Sequence, residues 1–248
     1  MRVVETLVQA HSAASTSSRG DGPRFSPPRA GGSSEINGGK SRICTDVAAG
    51  DSITRGSQDN ITVDGTGFEP ILSNLLTAIK GYPHSIANEG VSGHTSTDGL
   101  ALLPSTLNNH AEARYYIFQY GTNDARIPVP SGLGLQPGNP NYPGTFKDNM
   151  QKIITIVTAM GKIPYVAKVP KAFGSRTALN PYLQAYNQVI DELATANNIG
   201  VIPPDFYCYF ESHPDQMADD LHPNGTGYQS MANLWRDALT DQYSGGCY

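Results

Sequence analysis

Residues 146–170 read FKDNMQKIITIVTAMGKIPYVAKVP, and the fold turns on them. Phe146, Met150, Ile153, Ile154, Val157 and Met160 recur at the spacing of one helix face, and Gly161 closes the run. The segment IPYVAKVP at 163–170 then predicts a strand. Upstream, RYYIFQYG at 114–121 predicts an aromatic-rich strand that opens into a long Pro/Gly loop. Before it come a broken helix in DGLALLPSTLNNH, a short strand in HSIANEG at 84–90, and a helix carrying Phe68, Ile71, Leu72, Leu75, Leu76 and Ile79 that stops at Gly81 and Pro83. ICTDVAA at 43–49 predicts a first strand, unusually polar at Thr45 and Asp46. Downstream, Leu183, Tyr186, Val189, Ile190 and Leu193 mark a helix, IGVIPPD a last strand, and Tyr228, Met231, Trp235 and Leu239 a closing helix. Strand and helix thus alternate five times. That predicts an α/β fold with a mainly parallel five-stranded sheet covered on both faces, ligands sitting at the carboxyl ends of its strands.

A chain of 248 residues suits one α/β domain over residues 43–248. Residues 1–42 are rich in Ser, Gly, Pro and Arg between 11 and 42 and lack apolar periodicity, so they read as a disordered or surface-packed leader. The net charge of -5 and the scatter of Lys and Arg argue against a nucleic-acid partner and for a small-molecule substrate. No apolar run has the length of a membrane span, and Glu5 interrupts the stretch where an export signal would be apolar. Compartment and oligomeric state stay open. Of three cysteines, Cys208 and Cys247 can pair if the C-terminal tail folds back, while Cys44 reads as a small buried hydrophobe without chemistry.

Chemistry belongs in the loops after the strands. Ser52 follows the first strand in AAGDSITRGS. A serine hydroxyl needs a base, an orienting group for the base, and donors for an oxyanion. Asp219 and His222 stand three residues apart in DDLHPN, so the carboxylate can hold Nδ1 and leave Nε2 for a serine; of six histidines only His222 has an acid at that offset. Gly93 in NEGVSGHTS can bring a backbone N–H close to a substrate oxygen, and Asn123 in YGTNDA can add a side-chain N–H, alongside the N–H of Ser52. Taken singly, Gly93 can serve a tight turn and Asn123 an Asx-turn; together at successive strand ends they read as an oxyanion hole.

These blocks, GDSIT, GVSG, GTND and DDLHPN in that order, resemble those of the GDSL or SGNH hydrolases across roughly residues 43–240. The resemblance implies a three-layer α/β/α domain of flavodoxin-like order and ester hydrolysis, often of acetyl or other short acyl groups, without metal or organic cofactor. It also embraces carbohydrate acetylesterases, lysophospholipases and thioesterases. One departure is His94, where relatives often have Asp.

Rival readings remain weaker. Ser92 is a second candidate nucleophile, but GVSGH is not a G-x-S-x-G elbow. His213, Asp215, Asp219, Asp220 and His222 are grouped as a metal site would be, yet exposed loop acids are usually solvated. A non-catalytic binding module would have no need of an intact Ser, Asp and His. The loops around the site offer only Ile127, Val129, Leu133 and Leu135 as apolar contacts, which predicts short acyl chains.

Overall fold

The computed structural model describes residues 43–59 and 67–242. The expected leader at 1–42 therefore lies outside the described residues, as does Cys247. Cys208 is disulfide-bonded, and Cys44 is free and only partly buried, against the expectation of a buried hydrophobe.

The strands are β1 (Cys44–Gly50), β2 (His84–Gly90), β3 (Tyr115–Gln119) and β4 (Ile163–Val166). They form a parallel sheet in the order β2-β1-β3-β4. The helices are α1 (Ser52–Arg55), α2 (Glu69–Lys80), α3 (Ser96–Asn109), α4 (Thr122–Arg126), α5 (Phe146–Ala159), α6 (Asn180–Ala196), α7 (Phe206–Ser212) and α8 (Gly225–Leu239). The order with β1 between β2 and β3 is the doubly wound arrangement, in which a crevice opens where the chain reverses its direction of travel across the sheet.

Strand alternation sorts the core into two layers. Val47, Ala49, Tyr116 and Phe118 pack with α3, α5 and α6 through Leu103, Ile153, Val157 and Val189. Ala48, Ile86 and Ile117 face the other way, onto α2, α7 and α8 through Leu72, Phe210, Met231 and Trp235. Trp235 is fully buried with its ring edge-on to Phe206. Its truncation to alanine would cost about 3–5 kcal/mol through lost transfer energy and the cavity left behind.

Two expectations need correction. The sheet has four strands among the described residues, not five, because IGVIPPD forms no strand and meets the sheet only at the Lys168–Asp205 bridge. Pro203 and Pro204 have no N–H to donate to a ladder; only the Pro204 carbonyl engages, accepting from Lys168 N at 3.0 Å. The broken helix expected around Pro104 is one continuous helix, α3. Thr95 and Asp98 form a capping box at its start, and Leu103 and Leu107 bury its inner face while Pro104 lies on the exposed side. The periodicity also left α7 unassigned. That helix starts from Asp205, whose Oδ1 accepts the Cys208 N–H at 2.9 Å.

Candidate active site

The first loop is shaped by a close approach of backbone. Gly50 and Gly90 are register partners at the carboxyl ends of β1 and β2. A Cβ on Gly50 would strike Thr54 Oγ1 and the Gln119 carbonyl, and one on Gly90 would strike the backbone of Arg55. Glycine at both strand ends therefore lets α1 lie directly against the sheet. Asp51 caps α1, its Oδ1 accepting the Ile53 N–H at 2.9 Å, and this fixes the turn that presents Ser52 at the rim.

Ser52 Oγ lies 2.8 Å from His222 Nε2. His222 Nδ1 lies 3.0 and 2.9 Å from the two carboxylate oxygens of Asp219. The same carboxylate accepts the backbone N–H groups of Leu221 and His222, each at 2.8 Å, so the loop is folded around Asp219. That geometry calls for the Nδ1–H tautomer, with Nε2 as acceptor for the serine proton. Burial acts to raise the Asp219 pKa, but the Leu221 and His222 N–H groups and the imidazole outweigh it and hold the carboxyl below the usual range. The loop is tethered to the segment after β4: Asp220 Oδ2 accepts from Ser175 N at 2.9 Å and Oγ at 2.6 Å, and Phe173 N donates to the Asp220 carbonyl at 2.8 Å.

The oxyanion candidates come from the next two loops. Val91 N donates to the Gly50 carbonyl at 3.0 Å, which ties the loop after β2 to the end of β1. Gly93 on that loop has φ +86°, a left-handed conformation that a side chain would strain even though open space surrounds it. Asn123 opens α4 and is buried. Its Nδ2 donates to the His94 carbonyl at 3.0 Å, and its Oδ1 accepts from Arg126 Nη1 at 3.1 Å. The amide is thus oriented from both ends, with a second N–H still available. His94, the departure from the family pattern, contributes its backbone carbonyl to this arrangement.

The other candidates do not join the relay. Ser92 Oγ is 3.5 Å from Arg55 Nη1. His213 turns Nδ1 to the Tyr209 carbonyl at 2.8 Å, and Asp220 is engaged by Ser175, so the grouped acids and histidines do not converge.

Sequence reasoning missed the support beneath the site. Asp124 is fully buried and accepts from Ser96 N at 3.1 and 3.0 Å and from Ser96 Oγ at 2.5 Å; Asn149 Nδ2 donates to the same hydroxyl at 3.0 Å. This network holds the start of α3 against the Asn123 helix. Burial pushes the Asp124 carboxyl up, and burial together with the Asp124 charge pushes Asp51 up to about 7, against the pull of the Ile53 N–H. The available signal was an acid adjacent to each of Ser52 and Asn123.

Fold and site geometry together are those of an α/β hydrolase framework with a serine, a histidine and an aspartate in contact. Residues 48–230 match the GDSL-like Lipase/Acylhydrolase family, and the chain belongs to it. Thioesterase 1/protease 1/lysophospholipase L1 of Escherichia coli (strain K12) is 29% identical over 144 residues, 56% of this chain and 60% of that protein. The chain therefore matches under two thirds of that relative's length. An arylesterase of Vibrio mimicus is 28% identical over 184 residues, 71% of this chain and 78% of the relative. Among solved structures, LAE5, an α/β hydrolase enzyme from the metagenome of Lake Arreo, Spain, superposes with TM-score 0.61 at 21% identity, over 81% of this chain and 97% of the other. Axe2, an acetylxylan esterase from Geobacillus stearothermophilus, gives 0.61 at 16% identity over 79% and 93%. These structures share the α/β/α fold.

Proposed function

We propose that the chain is a serine esterase acting on short-acyl carboxylic esters through an acyl-enzyme. The observation that carries this reading is the continuous contact from Ser52 through His222 to Asp219, 2.8 Å and then 2.9 Å. As Ser52 Oγ attacks the ester carbonyl, His222 Nε2 takes its proton; the imidazolium, steadied by Asp219, returns that proton to the leaving alcohol. Water, deprotonated by His222, then releases the acid and restores Ser52. The N–H groups of Ser52 and Gly93 and the free Nδ2–H of Asn123 are assigned to the tetrahedral oxygen.

The surroundings support a short acyl group. Ile127 and Leu133 are exposed, Val129 packs against the core, and Leu135 is half-buried. The long loop that carries them is pinned onto α5 and α6: Tyr186 OH donates to the Val129 carbonyl at 2.6 Å, and Lys147 bonds the Leu135 carbonyl and Glu192, each at 2.7 Å. Its apolar residues are therefore not gathered into a wall. The esterase and thioesterase names of the relatives support acyl transfer without choosing the alcohol.

An active-site-directed phosphonate tests the assignment. Peptide mapping is expected to find it on Ser52, with no labelling of Ser52→Ala. A label on Ser92, or an unlabelled native chain, overturns the reading.

A further inference from the structure

At the opposite end of the sheet, three groups with no part in the relay converge. Cys44 opens β1 and His84 opens β2, and the two are direct register partners; Asp46 is two residues along β1 and so on the same face as Cys44. Asp46 is 4% exposed, and the His84 side chain is 6% exposed. Neither ring nitrogen of His84 has a hydrogen-bond partner among the described residues. An imidazole buried with both nitrogens unsatisfied is costly and calls for an occupant.

The spacing says what kind. His84 Nδ1 stands 3.6 Å from Asp46 Oδ2, too far for a good hydrogen bond. Cys44 Sγ stands 3.8 Å from Asp46 Oδ1, and one donor atom from each residue falls within 4.8 Å of the others. Ligands at about 2.0–2.3 Å around a tetrahedral zinc ion lie roughly 3.3–3.6 Å apart, so the 3.6 and 3.8 Å spacings about the Asp46 carboxylate are already close to those of ligands on one ion, and the three donors would close together from within 4.8 Å. Tyr82 stacks on the His84 ring at 4.9 Å and sets its plane. A cavity of about 140 Å³, lined by Asp46, His84, Tyr115 and Tyr165, leaves room for a water as fourth ligand.

We propose that Cys44 Sγ, Asp46 and His84 Nδ1 form a binding site for one divalent transition-metal ion of the zinc type, at the amino end of the sheet and separate from the hydrolytic site. Soft sulfur and imidazole donors select this class over Mg²⁺ or Ca²⁺, which take oxygen ligands. Lys80 also lines the cavity, so direct coordination rather than a general negative field has to hold the ion. On binding, the Cys44 thiol loses its proton to solvent as the sulfur–metal bond forms, and thiolate and carboxylate together neutralise the dication.

The test is a Co²⁺ titration of the full chain, stripped with a chelator and kept reduced at Cys44 by a phosphine that leaves the metal free. One equivalent should bind, with a thiolate-to-cobalt band in the near ultraviolet and the intense visible bands of four-coordination; Zn²⁺ should displace it and raise Tm. Cys44→Ser should abolish the thiolate band, and both it and His84→Ala should weaken Co²⁺ binding by about 100-fold or more, given that even outer-sphere changes cost tenfold or more. Both variants should keep the native circular dichroism and the phosphonate label on Ser52. His222→Ala should bind Co²⁺ as the native chain does. The proposal is overturned by absence of stoichiometric binding, by equal binding in folded Cys44→Ser and His84→Ala, by loss of binding in His222→Ala, or by equal competition from Mg²⁺ or Ca²⁺.

Discussion

The two ends of the sheet handle their polar groups in opposite ways. At the carboxyl end, residues from loops far apart in sequence meet at hydrogen-bond distance: Ser52 reaches His222 at 2.8 Å across 170 positions. At the amino end, His84 is the register partner of Cys44 and Asp46 lies two residues along the same strand, yet His84 Nδ1 and Asp46 Oδ2 stand 3.6 Å apart with the imidazole unsatisfied. Direct contact suits groups that pass a proton among themselves. Separation by a little more than a hydrogen bond suits groups that share an ion between them. The same parallel strands thus carry two arrangements, and variants at one end should leave the other unaltered.

Replacing the nucleophile breaks the comparison most sharply. Ser52→Ala is expected to lower kcat by about 10⁴-fold or more with the fold intact by circular dichroism, the usual result of losing a triad serine. If Ser92→Ala abolishes turnover while Ser52→Ala does not, the relay is misassigned.

A smaller effect separates charge stabilisation from binding. Asn123→Ala should cost roughly 10²-fold in kcat with KM little changed if, as proposed, its second N–H acts on charge that develops in the transition state. Steady-state kinetics on one ester decides it: a loss confined to KM would make Asn123 a ground-state contact.

Acyl length measures how little apolar wall the carboxyl end presents. kcat/KM on matched esters should peak between acetyl and butyryl. Each buried methylene is worth about 0.8 kcal/mol only where there is surface to bury it against. A continued rise through octanoyl would show that the 127–145 loop supplies such a surface in solution.

The smallest effect concerns the support under Ser52. Asp51 titrates at about 7 in the folded chain, against roughly 4 unfolded. Between those values the folded state holds a proton that the unfolded state has lost, so this contribution to stability is full at low pH and disappears as pH rises through about 7. Asp51→Asn keeps a capping side chain and cannot ionise. Its Tm relative to the native chain should therefore climb from about pH 5 to pH 8, and a difference that does not vary with pH would remove Asp51 from the titrating groups.

Much of this was legible before any coordinates. The 146–159 helix, the 84–90 strand and the order of the matched blocks all follow from periodicity and local chemistry, which depend on residues within a few positions of one another. Where the reading failed, a distant contact or a missing donor decided the outcome. Pro104 stays inside a helix because Leu103 and Leu107 pack beneath it, and Pro203 and Pro204 deny a fifth strand its ladder although the flanking residues look like one.

The candidate site divides along the same line. Sequence alone determined which groups could act: Ser52 after a strand, an acid three residues before His222, and a glycine and an asparagine on the intervening loops. Tertiary structure alone decided that Ser52 meets His222 and that Asp124 braces the start of α3 through Ser96. It also decided that Cys44, Asp46 and His84 bring donor atoms within 4.8 Å of one another. The reason is physical: the side-chain type that permits a reaction is written at each position, whereas the distances that enable it are set by parallel pairing and crossovers that bring residues tens to hundreds of positions apart into register.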